Sequence, residues 1–209
     1  MKAFFNFIRF ALFTGWYIVK SKEIDENIIR RWVVDVLDMF KIDVECRGDF
    51  KDERFVIMPN HSSYFDILAL YHCSRVKLNW IAKKELFKIP LLGRAMKDVG
   101  VVGVDRANEK KAAAALLRFV KTDFSGGVVI FPQGTRKNKT AFKRGGILIA
   151  KKRDLPIYPV RIENSAYIMP VGKLALNSGR VSVNILDRID PKEFSDIEIE
   201  KMVREKVYD

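Results

Sequence analysis

Apolar and polar positions along this chain alternate with two different periods. Residues 3–19 form one apolar stretch, Ala-Phe-Phe-Asn-Phe-Ile-Arg-Phe-Ala-Leu-Phe-Thr-Gly-Trp-Tyr-Ile-Val, flanked by Lys2, Lys20 and Lys22. From residue 24 to 42, Ile24, Ile28, Ile29, Trp32, Val33, Val36, Leu37 and Phe40 recur at helical spacing with charges between them, which predicts an amphipathic helix. Beyond that, short β-rich runs alternate with helical ones. Strands are expected at 43–46, 54–58, 79–82, 99–104, 128–131, 157–162 and 181–186. Helices are expected near 64–71, 84–87, 95–98, 109–124, 145–152 and 191–207. Such alternation predicts an α/β fold, a single layered domain with a central mixed sheet flanked by helices. Residues 1–42 would form an N-terminal two-helix appendage and residues 43–209 the main domain, with the boundary falling within 43–52. No internal repeat or low-complexity segment is visible.

Composition narrows the partners. A chain of 209 residues with 48% apolar content suits one domain with an appendage. The net charge of +12 and pI near 9.7 predict attraction to something anionic: lipid, an acidic carrier protein or nucleic acid. The basic residues are dispersed, and no zinc-finger, helix-turn-helix or RNA-recognition signature is present, so nucleic acid is not expected. Surplus lysine that serves only solubility is the alternative reading for much of the charge. Cys46 and Cys73 are not closely spaced. A reduced, cytosolic setting is the simpler reading, with one buried disulfide left open. There is no HExxH, CxxC, P-loop or post-strand GxGxxG pattern, so neither a metal nor a cofactor is expected.

The first apolar stretch has several readings. As a helix, residues 3–19 span about 25 Å, short of the roughly 30 Å hydrocarbon core of a bilayer, and Arg9 sits mid-segment. A signal peptide would need a small-residue cleavage site, whereas Lys20-Ser21-Lys22-Glu23 follows. A short spanning helix and an ordinary core helix remain alternatives. A helix dipped into one leaflet suits the composition best, with Phe4, Phe5, Phe7, Phe10 and Phe13 among the acyl chains and Trp16, Tyr17 and the lysines at the headgroups.

Candidate chemistry concentrates after the apolar run Phe55-Val56-Ile57-Met58, where the chain reads Asn60-His61-Ser62-Ser63-Tyr64-Phe65-Asp66. His61 is one of two histidines. Five residues on a helix rotate by roughly 140°, so His61 and Asp66 cannot meet on one regular helix. They can meet if His61 lies on the loop and Asp66 in the first turn of the next helix, with Ser62 or Ser63 as its cap. Asp66 would then fix the tautomer of a general base. Taken alone, the same residues serve equally well in a turn where His61 only satisfies hydrogen bonds.

Three further blocks follow: Gly100-Val101-Val102-Gly103-Val104-Asp105-Arg106, Phe131-Pro132-Gln133-Gly134-Thr135-Arg136 and Ile157-Tyr158-Pro159-Val160. With Asn60-His61-Ser62-Ser63, they resemble in order the four motif blocks of the glycerolipid acyltransferases, and in particular the bacterial 1-acylglycerol-3-phosphate (lysophosphatidic acid) acyltransferases. The stretch from Ala82 to Gly93 and Phe142-Lys143-Arg144-Gly145 also look like that family. The resemblance covers roughly residues 45–165 and implies acyl transfer from acyl carrier protein or coenzyme A to the sn-2 hydroxyl of 1-acylglycerol 3-phosphate. His61 would be the base and Asp66 its support. Arg136 would hold the acceptor's phosphate with help from Lys83 and Arg106. Gln133, Gly134 and Thr135 would shape the acceptor site, and Pro159 would back it. Two positions depart from the family pattern, with Gln133 standing for a glutamate and Lys137 for a serine. Gln133 keeps the shape without the charge, which puts the acceptor's identity in doubt; Lys137 adds a positive charge suited to a phosphorylated acceptor.

The implied setting is the cytoplasmic face of the inner membrane, with the protein monotopic or peripheral and an anionic surface as partner. Competing readings are acylation of another lysolipid or of glycerol 3-phosphate, a non-catalytic lipid-binding protein, and a hydrolase using Ser62 or Ser63, although neither serine lies in a G-x-S-x-G elbow.

Overall fold

The computed structural model describes residues 1–134 and 142–208. Two helices open the chain, α1 (Lys2–Lys20) and α2 (Glu26–Phe40). Asp25 caps α2 by accepting from the Ile28 N–H at 2.8 Å, and Lys41 stops it in the left-handed region at φ 53°. Then follow β1 (Ile42–Arg47), β2 (Arg54–Pro59), α3 (Asp66–Cys73), β3 (Leu78–Lys83), a 3-10 turn (Lys84–Lys88), α4 (Leu92–Asp98), β4 (Val102–Val104), α5 (Glu109–Val120), β5 (Gly126–Val129), α6 (Gly145–Arg153), β6 (Ile157–Glu163), α7 (Ser165–Ile168), β7 (Gly179–Ile185) and α8 (Asp196–Tyr208).

Among the described residues these strands form one seven-stranded sheet in the order β1-β7-β6-β2-β5-β3-β4. Neighbours pair in parallel except β6 with β7, so the sheet is mixed. β2 lies in its middle, and Phe55, Val56, Ile57 and Met58 are all fully buried, the continuous apolar run of a strand covered on both faces. Phe55 and Ile57 join a core with α2 and α3. Val56 and Met58 point the other way, into a core with α5, α6 and α8. α6 crosses very close to the sheet. A Cβ on Gly146 would come within 2.8 Å of Ile130 and 2.9 Å of Met58, so glycine permits that contact.

The two opening helices pack differently. α1 has no buried residue, whereas α2 buries Val33, Val36, Leu37 and Phe40. Arg30 of α2 also donates to the carbonyls of Tyr71, Ser74 and Val76 at and beyond the end of α3, tying the two helices together.

Several boundaries differ from the sequence reading. The strand expected at 99–104 is reduced to Val102–Val104 because Val99 ends α4 and Gly100 turns at φ 71°. The helix expected to reach 124 stops at Val120, where the Thr122 N–H and hydroxyl both bond the Phe119 carbonyl. The last helix starts at Asp196, not 191, because Ser195 and Glu198 exchange hydrogen bonds as a capping box. Cys46 and Cys73, for which reduced thiols are the simpler sequence reading and a buried disulfide the open alternative, form a disulfide with Cα atoms 5.6 Å apart. It joins β1 to the end of α3. A 27-residue separation carries no signal for that pairing; it follows from the packing of α3 against the β1 side of the sheet.

Candidate active site

β2, β5, β3, β4 and β6 all run in the same direction, so the loops at their C-terminal ends gather along one edge of the sheet, where open α/β sheets place their ligands. Asn60 extends the ladder past the end of β2. Its backbone N–H donates to the Val160 carbonyl at 3.3 Å. Its side-chain amide donates to the Ile162 carbonyl at 2.8 Å and accepts from the Ile162 N–H at 2.7 Å. The next residue, His61, is therefore placed by the sheet itself.

His61 and Asp66 meet as the spacing required. The His61 Nδ1 lies 2.7 Å from Asp66 Oδ2. The same oxygen accepts from the backbone N–H groups of Ser62 at 2.9 Å and Ser63 at 3.0 Å. Asp66 is wholly buried and His61 is 8% exposed. The imidazole stacks on the Phe131 ring, with centroids 3.7 Å apart and planes 21° from parallel. The expected capping runs the other way round: neither serine caps α3, and Asp66 instead caps the turn that holds the serines. Ser63 Oγ donates to the Met169 carbonyl at 2.8 Å and accepts from the Phe65 N–H. Ser62 Oγ lies 2.9 Å from Ser165 Oγ. Both hydroxyls are engaged with the segment from Ser165 to Met169, which weighs against either as a nucleophile.

Sequence reasoning missed Ser165. It opens α7 after β6, is fully buried, and donates its hydroxyl to Asp66 Oδ1. The carboxylate thus has hydrogen-bond partners on both oxygens, which offsets the cost of burying it. Ser165 stands 99 residues from Asp66, and the Asn164-Ser165-Ala166-Tyr167 stretch has no periodicity to mark it.

The remaining candidates occupy the neighbouring strand ends. Gln133 is buried and Gly134 turns the β5 loop at φ 66°. Arg106, after β4, donates to the Gly134 carbonyl and so ties two of the expected blocks together. Lys83 ends β3 with its amine half exposed, 3.8 Å from Glu85. Beside it Lys84 pairs with Asp105 at 2.6 Å. That hydrogen bond holds the Asp105 carboxyl below, and the Lys84 amine above, their ordinary ranges. Thr135 and Arg136 lie outside the described residues, as does Lys137.

A cavity of about 540 Å³ starts at this cluster, where His61, Lys83, Arg106, Phe131 and Gly134 line it. It runs beneath α1 and α2 between Tyr17, Ile18, Ile28 and Trp32 on one side and Leu68, Tyr71, Trp80 and Met96 on the other. Burial raises the Tyr71 hydroxyl pKa far above its usual value, and the Trp80 indole N–H donates to it at 2.8 Å. Away from Lys83 and Arg106 the lining is mostly apolar and aromatic, suited to an aliphatic chain.

The aromatic residues of α1 divide between two faces. Phe7, Phe10 and Phe13 pack against the core, with Phe10 ring centroids 6.1 Å from Trp32 and 6.4 Å from Phe40. Phe4, Phe5 and Trp16 are 45%, 59% and 52% exposed. Among the described residues no helix is long and apolar enough to cross a membrane, and no group of three or more metal-ligating side chains is assembled.

A family model described as Acyltransferase matches residues 26–163. The chain is 36% identical over 158 residues to a 1-acyl-sn-glycerol-3-phosphate acyltransferase of Helicobacter pylori, covering 72% of this chain and 65% of that protein. It is 31% identical over 166 residues to the chloroplastic 1-acyl-sn-glycerol-3-phosphate acyltransferase BAT2 of Brassica napus, covering 76% of this chain and 48% of that one. The chain thus spans just under two thirds of the first relative and about half of the second. The crystal structure of the 1-acyl-sn-glycerophosphate acyltransferase PlsC from Thermotoga maritima has the same fold, with a TM-score of 0.80 at 25% identity, over 99% of this chain and 93% of that one.

Proposed function

We propose, since the chain belongs to the Acyltransferase family, that it moves a fatty acyl group from a thioester to the sn-2 hydroxyl of 1-acylglycerol 3-phosphate, giving phosphatidate. The observation that carries the reading is the His61–Asp66 pair, 2.7 Å apart, at the polar end of an apolar cavity. The acceptor hydroxyl gives its proton to the neutral imidazole as its oxygen attacks the thioester carbonyl. Asp66 holds the ring by Nδ1 and stabilises the imidazolium that forms. When the tetrahedral intermediate collapses, the C–S bond breaks and the imidazolium returns the proton to the leaving thiolate. His61 ends as it began, and no covalent enzyme intermediate is needed.

Arg136, which the resemblance assigns to the acceptor's phosphate, is of the residue type whose guanidinium binds phosphate in a bidentate manner. Arg106 and Lys83 line the cavity near His61 and add positive charge there. The donor is acyl carrier protein or coenzyme A; both are anionic and suit a chain of net charge +12. The exposed Phe4, Phe5 and Trp16 of α1 support peripheral seating on an anionic membrane, which we place at the cytoplasmic face.

The test is an acyl-transfer assay on anionic vesicles with 1-acylglycerol 3-phosphate, offered both donors, comparing wild type with His61→Ala. Phosphatidate from wild type alone, with the variant folded, is the expected outcome. Equal turnover by the variant would remove the mechanism. Product with a different lysolipid, and none with this one, would replace the acceptor.

A further inference from the structure

The loop between the 3-10 turn and α4 is built at odds with its sequence. Leu91 adopts φ 61°, ψ −56°, and the Leu92 N–H donates back to the Pro90 carbonyl at 2.7 Å. This is the rare, strained form of the γ-turn, in a conformation that favours glycine. Its neighbours hold it there. The Gly93 N–H donates to Ile89 O at 2.8 Å and the Ala95 N–H to Leu91 O at 2.9 Å. A Cβ on Gly93 would lie 2.1 Å from the Phe87 carbonyl oxygen, so the turn cannot relax in that direction. The result is unfavourable by ordinary burial rules: Ile89, Leu91 and Leu92 are 46%, 41% and 40% exposed side by side. Backbone strain that turns apolar side chains outward needs a reason outside the folded chain.

The loop does not stand alone. Arg94, just behind it, donates to the carbonyls of Ile18, Ser21 and Lys22 at the end of α1, fixing α4 to that helix. Leu91 lies beside α1, 3.9 Å from where a Cβ on Gly15 would stand. Thr14 and Ile18 of α1, Leu86 of the 3-10 turn and Leu92 at the start of α4 all line the cavity. Charge marks the occupant. Residues 1–22 contain Lys2, Arg9, Lys20 and Lys22 and no acidic residue; residues 86–97 contain Lys88, Arg94 and Lys97 and no acidic residue. Glu23, Glu85 and Asp98 border these stretches, and Asp98 pairs with Arg94 at 3.6 Å, but the balance stays positive, and apolar tips among surplus cations match the surface of an anionic bilayer.

We propose that Ile89, Leu91 and Leu92 form a second bilayer-inserting edge, beside α1 and next to the cavity that Leu92 lines, so that the membrane contact extends from α1 onto this loop. This rests on the membrane-bound reading above, but vesicle binding tests it without any enzyme assay. Partition onto vesicles of mixed anionic and zwitterionic lipid would be measured by sedimentation for wild type, Ile89→Ser/Leu91→Ser, Leu91→Gly, and Phe5→Ser on α1 as a comparison. The double variant should lose about tenfold or more in partition, with its melting temperature and oligomeric state unchanged. Leu91→Gly should bind more weakly while melting no lower than wild type, because glycine relieves the strained φ. That divergence of stability and binding is not produced by a loop that merely packs. Wild-type partition of both loop variants would overturn the proposal, and loss in Phe5→Ser alone would leave α1 as the sole membrane contact. A change in oligomeric state with binding intact would overturn it in favour of a contact between copies of this chain.

Discussion

At the scale of single residues, the proposed proton transfer would depend on how one carboxylate is held. Asp66 is wholly buried, yet it accepts from His61, from two backbone N–H groups and from Ser165. A hydrogen bond to a charged group contributes roughly 1.5–3 kcal/mol, so Ser165→Ala should lower kcat by about ten- to a hundredfold. The acceptor KM should hardly move, because Ser165 is placed to act through Asp66. A lowered melting temperature with kcat unchanged would make Ser165 structural only. The His61–Asp66 relation was legible in the sequence because both residues lie within one contiguous turn. Ser165 and the Arg106–Gly134 hydrogen bond were not, because each depends on strand order, which brings together segments that no local pattern relates.

At the scale of elements, each strand core was legible from its run of β-branched and aromatic residues, and the errors fell at the ends. Ends are set by single hydrogen bonds, such as the Ser195–Glu198 exchange, which local sequence marks only weakly. The disulfide was hidden for a different reason, since its partners belong to elements that meet only once the sheet has formed. Closing a loop of this length stabilises the fold by about 3–4 kcal/mol in the chain-entropy account. Reduction, or Cys46→Ser with Cys73→Ser, should therefore lower the melting temperature by several degrees. Activity below the transition should persist, because Cys73 lies at the far end of α3 from Asp66. On a reducing cytoplasmic side the pair would stand as thiols, and thiol titration of protein isolated under rapid acid quench would read which form the cell maintains.

At the scale of the whole molecule, the expected mixed sheet flanked by helices is present, and its catalytic candidates share one edge. The amphipathic pattern of α2 foretold its burial. For α1, a uniformly aromatic stretch could not say which rings face inward; packing decided that Phe7, Phe10 and Phe13 do and that Phe4, Phe5 and Trp16 do not. Phe4→Ser with Phe5→Ser should therefore weaken vesicle binding and leave the melting temperature nearly unchanged. Phe10→Ser should lower the melting temperature instead, by removing a ring packed against Trp32 and Phe40. Sedimentation and thermal denaturation of the same preparations separate the two faces, and identical behaviour of both variants would dismiss the division.

Asn60 carries a broader consequence. Its amide both gives and takes a hydrogen bond at Ile162, so a side chain continues the sheet where the backbone of β2 has ended, and His61 and Ser165 hang from two strands clamped together. The cavity is walled largely by helices, and one of them, α3, carries Asp66 at its start and Leu68 and Tyr71 of the wall further along. Under the proposed function, reshaping the compartment from α3 would therefore disturb the proton-transfer pair, whereas the wall that α1, α2 and α4 contribute has no such tie. Diversification in the lipids such a scaffold handles is expected to begin on those three helices.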